Sequence, residues 1–246
     1  MSENLHYEHQ ISYFGNEFSQ IQEYRLKPWH HTYIERIKNT ILGQNENFQS
    51  KTLVDIGTGE GYVAVEMAKL GLHVIACDLT SQALENIDRF KKQFNLPNIK
   101  LIKCKADEIP IKSNSVDYVV ANAILEHLPN EKKTVEKWKR ILKPKGKMFI
   151  TVPLKYRYLL PFLIPVNYIH DKRIGHLRRY DKESLQKLFG LNVLYVFYTG
   201  HFLKVLGFLL SSIFGTYFFS RVLESSDKKF QNVWYGGSNI IIIFQK

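Results

Sequence analysis

Cysteine is nearly missing from these 246 residues, with only Cys77 and Cys104 present. A disulfide-built scaffold is therefore excluded, and both thiols fall in apolar stretches that read as internal strands, where cysteine acts as a small buried hydrophobe. The expected compartment is the reducing cytoplasm. A transmembrane helix takes about 20 predominantly apolar residues, and the longest apolar run, Phe202 to Phe219, is broken by Lys204, serines and glycines. Met1 to Gln10 is polar, so no secretory leader is expected. No Cys/His group has metal-ligand spacing, so no metal is expected. Repeats and low-complexity linkers are also missing. Acidic residues are in deficit, 23 against 34 Lys and Arg, leaving a formal charge of +11. An excess of this kind attracts anionic partners: acidic lipid headgroups, phosphorylated small molecules or nucleic acid.

What is present alternates. Leu53 to Asp55, His73 to Asp78, Ile99 to Lys105 and Val116 to Ala121 read as apolar strands, and Lys143 to Ile150 as a turn and a fifth strand. Between them, Gly61 to Leu70, Ser81 to Phe94 and Glu131 to Leu142 carry helical spacing, with Thr80, Ser81 and Glu85 as a helix start. Strand and helix in turn predict a parallel sheet covered on both faces. Gln20 to Leu42 reads as a leading helix over a cleft, with Tyr13 ahead of it as a closing side chain. Asp181 is expected to cap a later helix, and Leu191 to Thr199 and Asn239 to Phe244 to form a closing antiparallel edge hairpin. The chain divides into an N-terminal helical cap (1–50), a core (51–153) and a substrate-side portion with an apolar insertion and closing strands (154–246).

The sharpest motif is Asp55-Ile56-Gly57-Thr58-Gly59-Glu60-Gly61, an acid and three alternating glycines between a strand and a helix. Glycine serves where backbone takes positive φ or approaches a ligand closely, and the helix start offers free N–H groups and a positive dipole end. The dinucleotide pattern G-x-G-x-x-G fails at Tyr62, which argues against an NAD-dependent dehydrogenase. The other dehydrogenase mark, a Tyr-x-x-x-Lys pair after the middle strands, is expected to be absent. A second carboxylate, Asp78, ends the next strand, where it can accept ribose hydroxyls. Ala106-Asp107 follows the third strand and Asn122 to Leu128 the fourth.

These segments, over Lys51 to Pro153, resemble class I S-adenosylmethionine (SAM)-dependent methyltransferases, nearest the small-molecule enzymes of the quinone-biosynthesis type. The resemblance implies a Rossmann-like seven-stranded sheet with the last strand antiparallel. It implies SAM as cofactor, held by Asp55, Gly57, Thr58, Gly59, Gly61, Asp78, Leu79, Ala106, Asp107 and Ala121. Asp78 would take the ribose hydroxyls and Asp107 the adenine amino group. His127, in the turn after the fourth strand, would face the methyl group as a candidate base.

Two apolar segments outside this core bear on the acceptor. Tyr158 to Val166 follows the fifth strand, and Phe202 to Phe219 is read as lying in a membrane interface or over a greasy pocket, with Lys204 and Arg221 meeting lipid phosphates. Ordinary core or a homodimer interface is the alternative use. Between them Gly175-His176-Leu177-Arg178-Arg179-Tyr180 resembles a G-H-x-R-x-Y signature of methyltransferases acting on glycan or lipid-linked intermediates. In that reading His176 is a general base, Arg178 holds a carboxylate or phosphate, and Tyr180 orients a hydroxyl. The Asn-Pro-Pro-aromatic turn of adenine and glutamine methylation is missing at Asn122 to Leu125, and neither cysteine suits thiolate attack on a pyrimidine. The expectation is methyl transfer to an O, N or C atom of a small, amphipathic or lipid-linked acceptor, by a cytoplasmic protein that contacts the inner face of an anionic membrane. An RNA methyltransferase and a non-catalytic, membrane-associated SAM-binding module are the alternatives, with nucleic acid the less expected partner.

Overall fold

A computed structural model describes residues 3–42, 48–215 and 217–246. Helices α1 (Glu3–Ser19) and α2 (Pro28–Thr40) precede the sheet. Then β1 (Thr52–Ile56), α3 (Tyr62–Lys69), β2 (His73–Asp78), α4 (Ser81–Gln93), β3 (Ile99–Lys103), β4 (Val116–Asn122), α5 (Glu131–Ile141) and β5 (Leu142–Pro153) alternate. Beyond them lie α6 (Ile164–Ile174), α7 (Lys182–Phe189), β6 (Asn192–Thr199), α8 (Phe202–Phe214), α9 (Phe218–Asp227) and β7 (Asn239–Gln245). The sheet order is β3-β2-β1-β4-β5-β7-β6. β1 to β5 pair in parallel, and β7 runs antiparallel to both β5 and β6.

Successive side chains of a strand point to opposite faces, and both faces here are buried. Leu53, Val74, Val120, Phe149 and Ile241 pack beneath α2, α3 and α4. Their neighbours Val54, Cys77, Val119, Ile150 and Ile242 pack on the other face against Trp138 of α5 and Phe189 of α7. The near-continuous Ile240 to Ile243 run follows from this two-sided burial. Asp181 caps α7 through a reciprocal box with Ser184, as expected.

Four expectations change. Gln20 to Leu42 is no single helix: α2 begins at Pro28, whose fixed φ suits a first helical turn, and α1 is a separate helix in the polar N-terminal stretch. The third strand ends at Lys103, so Cys104 stands just beyond it, and β3 is an edge strand rather than an internal one. The closing pair is no hairpin, since α8 and α9 intervene, and β7 enters the sheet while β6 takes the edge. Finally, Phe202 to Phe219 turns back on itself where Gly215 adopts a left-handed conformation at the end of α8. Leu203, Val205, Phe208, Leu209, Ser212 and position 216 of this run lie outside the described side chains or residues. Lys204 pairs with Glu224 at 2.8 Å instead of reaching outward. Among the described residues no helix is long and apolar enough to cross a membrane.

Candidate functional site

The loop after β1 is held by the neighbouring strand tip. The Gly57 and Thr58 amides donate to the Cys77 carbonyl, and the Gly59 amide donates to Asp78 Oδ2 at 3.0 Å. Asp78 also accepts from the Thr80 amide and hydroxyl, both at 2.8 Å. The Thr80 hydroxyl thus serves Asp78 rather than capping α4 by its side chain. Asp55 accepts from the Thr58 hydroxyl at 2.6 Å, and burial pushes its carboxyl up to about 7. The loop opens onto a cavity of about 280 Å³ above the tips of β1, β2 and β4.

The cavity is lined by Asp55, Gly57, Thr58, Gly59, Asp78, Leu79 and Ala106, which are the cofactor candidates it brings together. Gly61 is not among them. Its φ of +77° starts α3, and a Cβ there would lie 2.6 Å from Ile87 Cγ1, so this glycine fits the loop against α4. Ala121 is also outside the cavity, fully buried in the core under the strand tips, and the following Asn122 lines the space instead. Asp107 lies just behind Ala106. Its Oδ2 accepts from Lys133 at 3.1 Å, whereas its buried Oδ1 has no partner.

The roof is α1, which contributes Tyr7, Gln10, Phe14 and Phe18. Phe14 and Phe18 stack on each other, and Phe14 meets the His127 ring edge-on. Tyr13 packs on His9 and Phe14 outside the cavity, so the closing aromatic is its neighbour. The helical recurrence of Tyr7, Gln10, Phe14 and Phe18 was the available signal. Clasps fix the helix in place: His6 Nε2 meets the His127 carbonyl at 2.6 Å and the Gln10 amide donates to the Ile174 carbonyl at 3.0 Å.

The turn after β4 is the second wall. Ala123, a non-glycine residue at φ +54°, lines the cavity together with Asn122, Ile124 and His127. Conformations of this sort cost free energy and gather where ligands are held. Burial and the nearby His176 and His6 push the His127 imidazole down to about 3, so it is neutral at ordinary pH. Its Nδ1 has no hydrogen-bond partner, nor does Asn122 Oδ1. Behind His127 lies His176, ring centroids 4.7 Å apart, with the buried Glu126 beside both.

Arg178 and Tyr180 do not reach the cavity. Arg178 donates to the carbonyls of Leu128 and Pro129, and the Tyr180 hydroxyl donates to Glu131 at 2.6 Å. They fasten the 175–180 stretch onto the turn that carries His127. A Tyr-x-x-x-Lys spacing does occur, Tyr168 to Lys172 on α6, contrary to its expected absence. Both residues are exposed and neither lines the cavity, so the dehydrogenase reading gains nothing.

The residues present fit a nucleoside with a polar, cationic tail. Carboxylates end two adjacent strands, a glycine turn leaves backbone accessible, and buried oxygens of Asn122 and Asp107 lack partners. Residues 54–150 match the model of a methyltransferase domain. The ubiquinone/menaquinone biosynthesis C-methyltransferase UbiE of Rickettsia typhi is 31% identical over 117 residues, covering 45% of this chain and 47% of that protein. The ubiquinone biosynthesis O-methyltransferase of Paraburkholderia xenovorans is 29% identical over 127 residues, covering 51% and 53%. The chain thus spans about half the length of these curated relatives. In fold it is similar to Haemonchus contortus phosphoethanolamine N-methyltransferase 2 in complex with SAM, with a TM-score of 0.64 at 18% identity over 88% of this chain and 52% of that one. The YcgJ protein of Bacillus subtilis gives 0.62 at 18% over 88% and 98%. The chain therefore carries, at residues 54–150, a domain of the class I SAM-dependent methyltransferase family.

Proposed function

We propose that the protein transfers a methyl group from SAM to an oxygen, nitrogen or carbon atom of a small amphipathic or lipid-linked acceptor, working peripherally at an anionic membrane surface on the cytoplasmic side. The observation that carries the reading is the single cavity in which the glycine loop, Asp55, Asp78 and Asn122 face His127 beneath the α1 roof. SAM supplies an activated methyl group. What this chain adds is alignment and the exclusion of water, effects that can lower a barrier by several kcal/mol. Asp78 is assigned to the ribose and Asp107, with its unpaired Oδ1, to the adenine amino group. Tyr7, Phe14 and Phe18 close the roof over both. His127, neutral, lines the cavity at the acceptor end, and Arg178 and Tyr180 hold that turn in position.

The membrane part of the reading is supported by an unusual exterior. Val166 and Ile169 are exposed on one side of α6, Phe162 is exposed in the turn just ahead of it, and the Phe162 ring touches Phe202 at the start of α8. Phe214 and Phe218 are each 64% exposed at the tip of the α8–α9 pair. The exposed cations Lys172, Arg173 and Arg221 neighbour these apolar positions in sequence, the pairing expected of an interfacial surface. The net charge of +11 favours RNA as a second reading. Incubation with radiolabelled SAM and separated lipid, glycan and RNA pools tests both. Label in an amphipathic fraction is expected; label in RNA alone would replace the reading. Binding of SAM with no label in any pool would favour a non-catalytic module.

A further inference from the structure

We infer that Glu126, His127 and His176 form a binding site for one divalent transition-metal ion, of the Zn²⁺ or Co²⁺ class, opening onto the acceptor end of the cavity. One ligand atom from each lies within 4.8 Å of the other two. Glu126 Oε1 and His176 Nε2 are 3.6 Å apart. That is long for a hydrogen bond, and it is close to the separation of two ligands that share an ion at bond lengths of about 2.0–2.2 Å in tetrahedral geometry. Two further observations point to a missing partner. Glu126 and His127 are 1% and 4% exposed, yet Glu126 Oε2 and His127 Nδ1 make no hydrogen bond. Buried polar atoms without partners are costly and rare, and these two belong to residues that each bring a ligand atom within 4.8 Å of one on His176.

The surroundings of His176 strengthen the assignment. Its Nδ1 meets Asp171 Oδ1 at 2.8 Å, which leaves the Nε2 lone pair directed at Glu126. Asp171 is in turn gripped by Arg179, through Nε at 2.5 Å and Nη2 at 2.8 Å, and by the Tyr156 hydroxyl. A carboxylate fixing the tautomer and orientation of an imidazole is the usual support of a metal-bound histidine. Two imidazoles and one carboxylate suit a borderline ion such as zinc far better than magnesium or calcium, which prefer all-oxygen shells. Three protein ligands also leave a coordination position open. His127 lines the cavity whereas Glu126 and His176 stand behind it, so the open position faces the acceptor. An acceptor with a metal-binding oxygen, such as a phenol or enol, is then favoured, because coordination lowers the pKa of the hydroxyl that must lose its proton. This last step rests on the methyltransferase reading; metal binding itself does not.

Untagged protein, stripped with a chelator, is titrated with Co²⁺ and separately with Zn²⁺, while S-adenosylhomocysteine binding is measured in parallel. One equivalent of Co²⁺ with visible ligand-field bands of a four- or five-coordinate site is expected, displaced by Zn²⁺. Glu126→Gln and His176→Ala should abolish the bands. Asp171→Asn should weaken binding by roughly 10–100-fold. The near-isosteric Glu126→Gln keeps the test valid if His176→Ala does not fold. Normal S-adenosylhomocysteine binding with no cobalt bands and well under one equivalent of zinc would overturn the metal site and leave the methyltransferase reading standing. Cobalt bands without nucleoside binding would do the reverse.

Discussion

The strand tips and the α8–α9 pair handle apolar and polar groups in opposite ways. At the tips, apolar side chains are interior and the carboxylates of Asp55 and Asp78 are spent on holding the glycine loop. At the α8–α9 end, large apolar side chains stand in water: Ile213 is 74% exposed and Phe214 64%. Burying a phenylalanine gains about 1.5–3 kcal/mol, so several exposed together represent free energy held back from folding and open to a partner. The first region is finished by the fold, apart from a few unpartnered oxygens around a small cavity. The second is left unfinished over an extended surface, and the two contrasts point to a small ligand in one place and a broad one in the other.

The largest effect should come from removing that surface. Replacing Phe162, Phe214 and Phe218 together by Ser is expected to abolish flotation with anionic vesicles, a loss of at least 100-fold in partitioning if each ring inserts at about 1.5 kcal/mol or more. Each exposed site should shift folding stability by no more than about 0.5 kcal/mol. Undiminished flotation would refute the membrane reading, and a collapse of stability would show that these rings already have a partner in the fold.

Next is Gly61→Ala. The left-handed conformation costs a Cβ-bearing residue about 1–2 kcal/mol, and the close approach to Ile87 adds an overpacking cost of about 1–3 kcal/mol. Urea unfolding should show a loss of about 2–5 kcal/mol with bound SAM no weaker per folded molecule. If stability is unchanged while SAM affinity falls, Gly61 belongs to the cofactor contact after all. Asp78→Ala has the opposite signature. It should weaken SAM binding by about 1.5–3 kcal/mol through charged hydrogen bonds, with a smaller loss of stability because the Gly59 amide loses its acceptor. Unaltered affinity would remove Asp78 from the ribose site.

These contrasts also show where the sequence was informative. The parallel core was legible because buried strands read as apolar runs and each carboxylate falls at a strand end, so Asp55 and Asp78 could be placed by chain position alone. Gly61 and Ala121 lie outside the cavity lining, and chain position gives no sign of it, because a glycine motif does not say which glycine faces the cavity and which packs on another helix. The roof was missed because α1 is polar on most of its surface and shows only four aligned residues toward the cavity. The α8–α9 turn was hidden in a run that reads as one continuous apolar segment until Gly215 reverses it. The Glu126, His127 and His176 group is invisible to ligand-spacing rules, since almost fifty residues separate His127 from His176. What joins them is a tertiary contact, the Leu177 amide donating to the Glu126 carbonyl at 2.9 Å.

The smallest expected effect concerns how the exposed pair is tied to the finished sheet. Asp227 at the end of α9 accepts from the Thr199 hydroxyl at 2.6 Å and from the His201 amide at 2.9 Å, where β6 leads into α8. His201 points Nδ1 at Asp227 Oδ1 and Nε2 at the Val233 carbonyl, both at 2.8 Å, and both are acceptors. Only the imidazolium satisfies the two at once. Although burial opposes the charge, the bonds to Asp227 and Val233 raise the His201 pKa above its ordinary value. The same contacts hold Asp227 at about 2, despite its burial. A raised histidine contributes stability that is complete below the unfolded value of about 6.5 and is lost as pH rises through the folded value. A depressed aspartate contributes above about 3.9 and loses it as pH falls toward 2. The anchor is therefore strongest between roughly pH 4 and 6.5. His201→Gln should flatten the decline in stability as pH rises above about 6.5 by about 1 kcal/mol, the scale of one hydrogen bond. Amide exchange in α9 should quicken over the same range in the parent protein and not in the variant. A parallel decline in both would place the titration elsewhere and leave the α8–α9 pair tied down by packing alone.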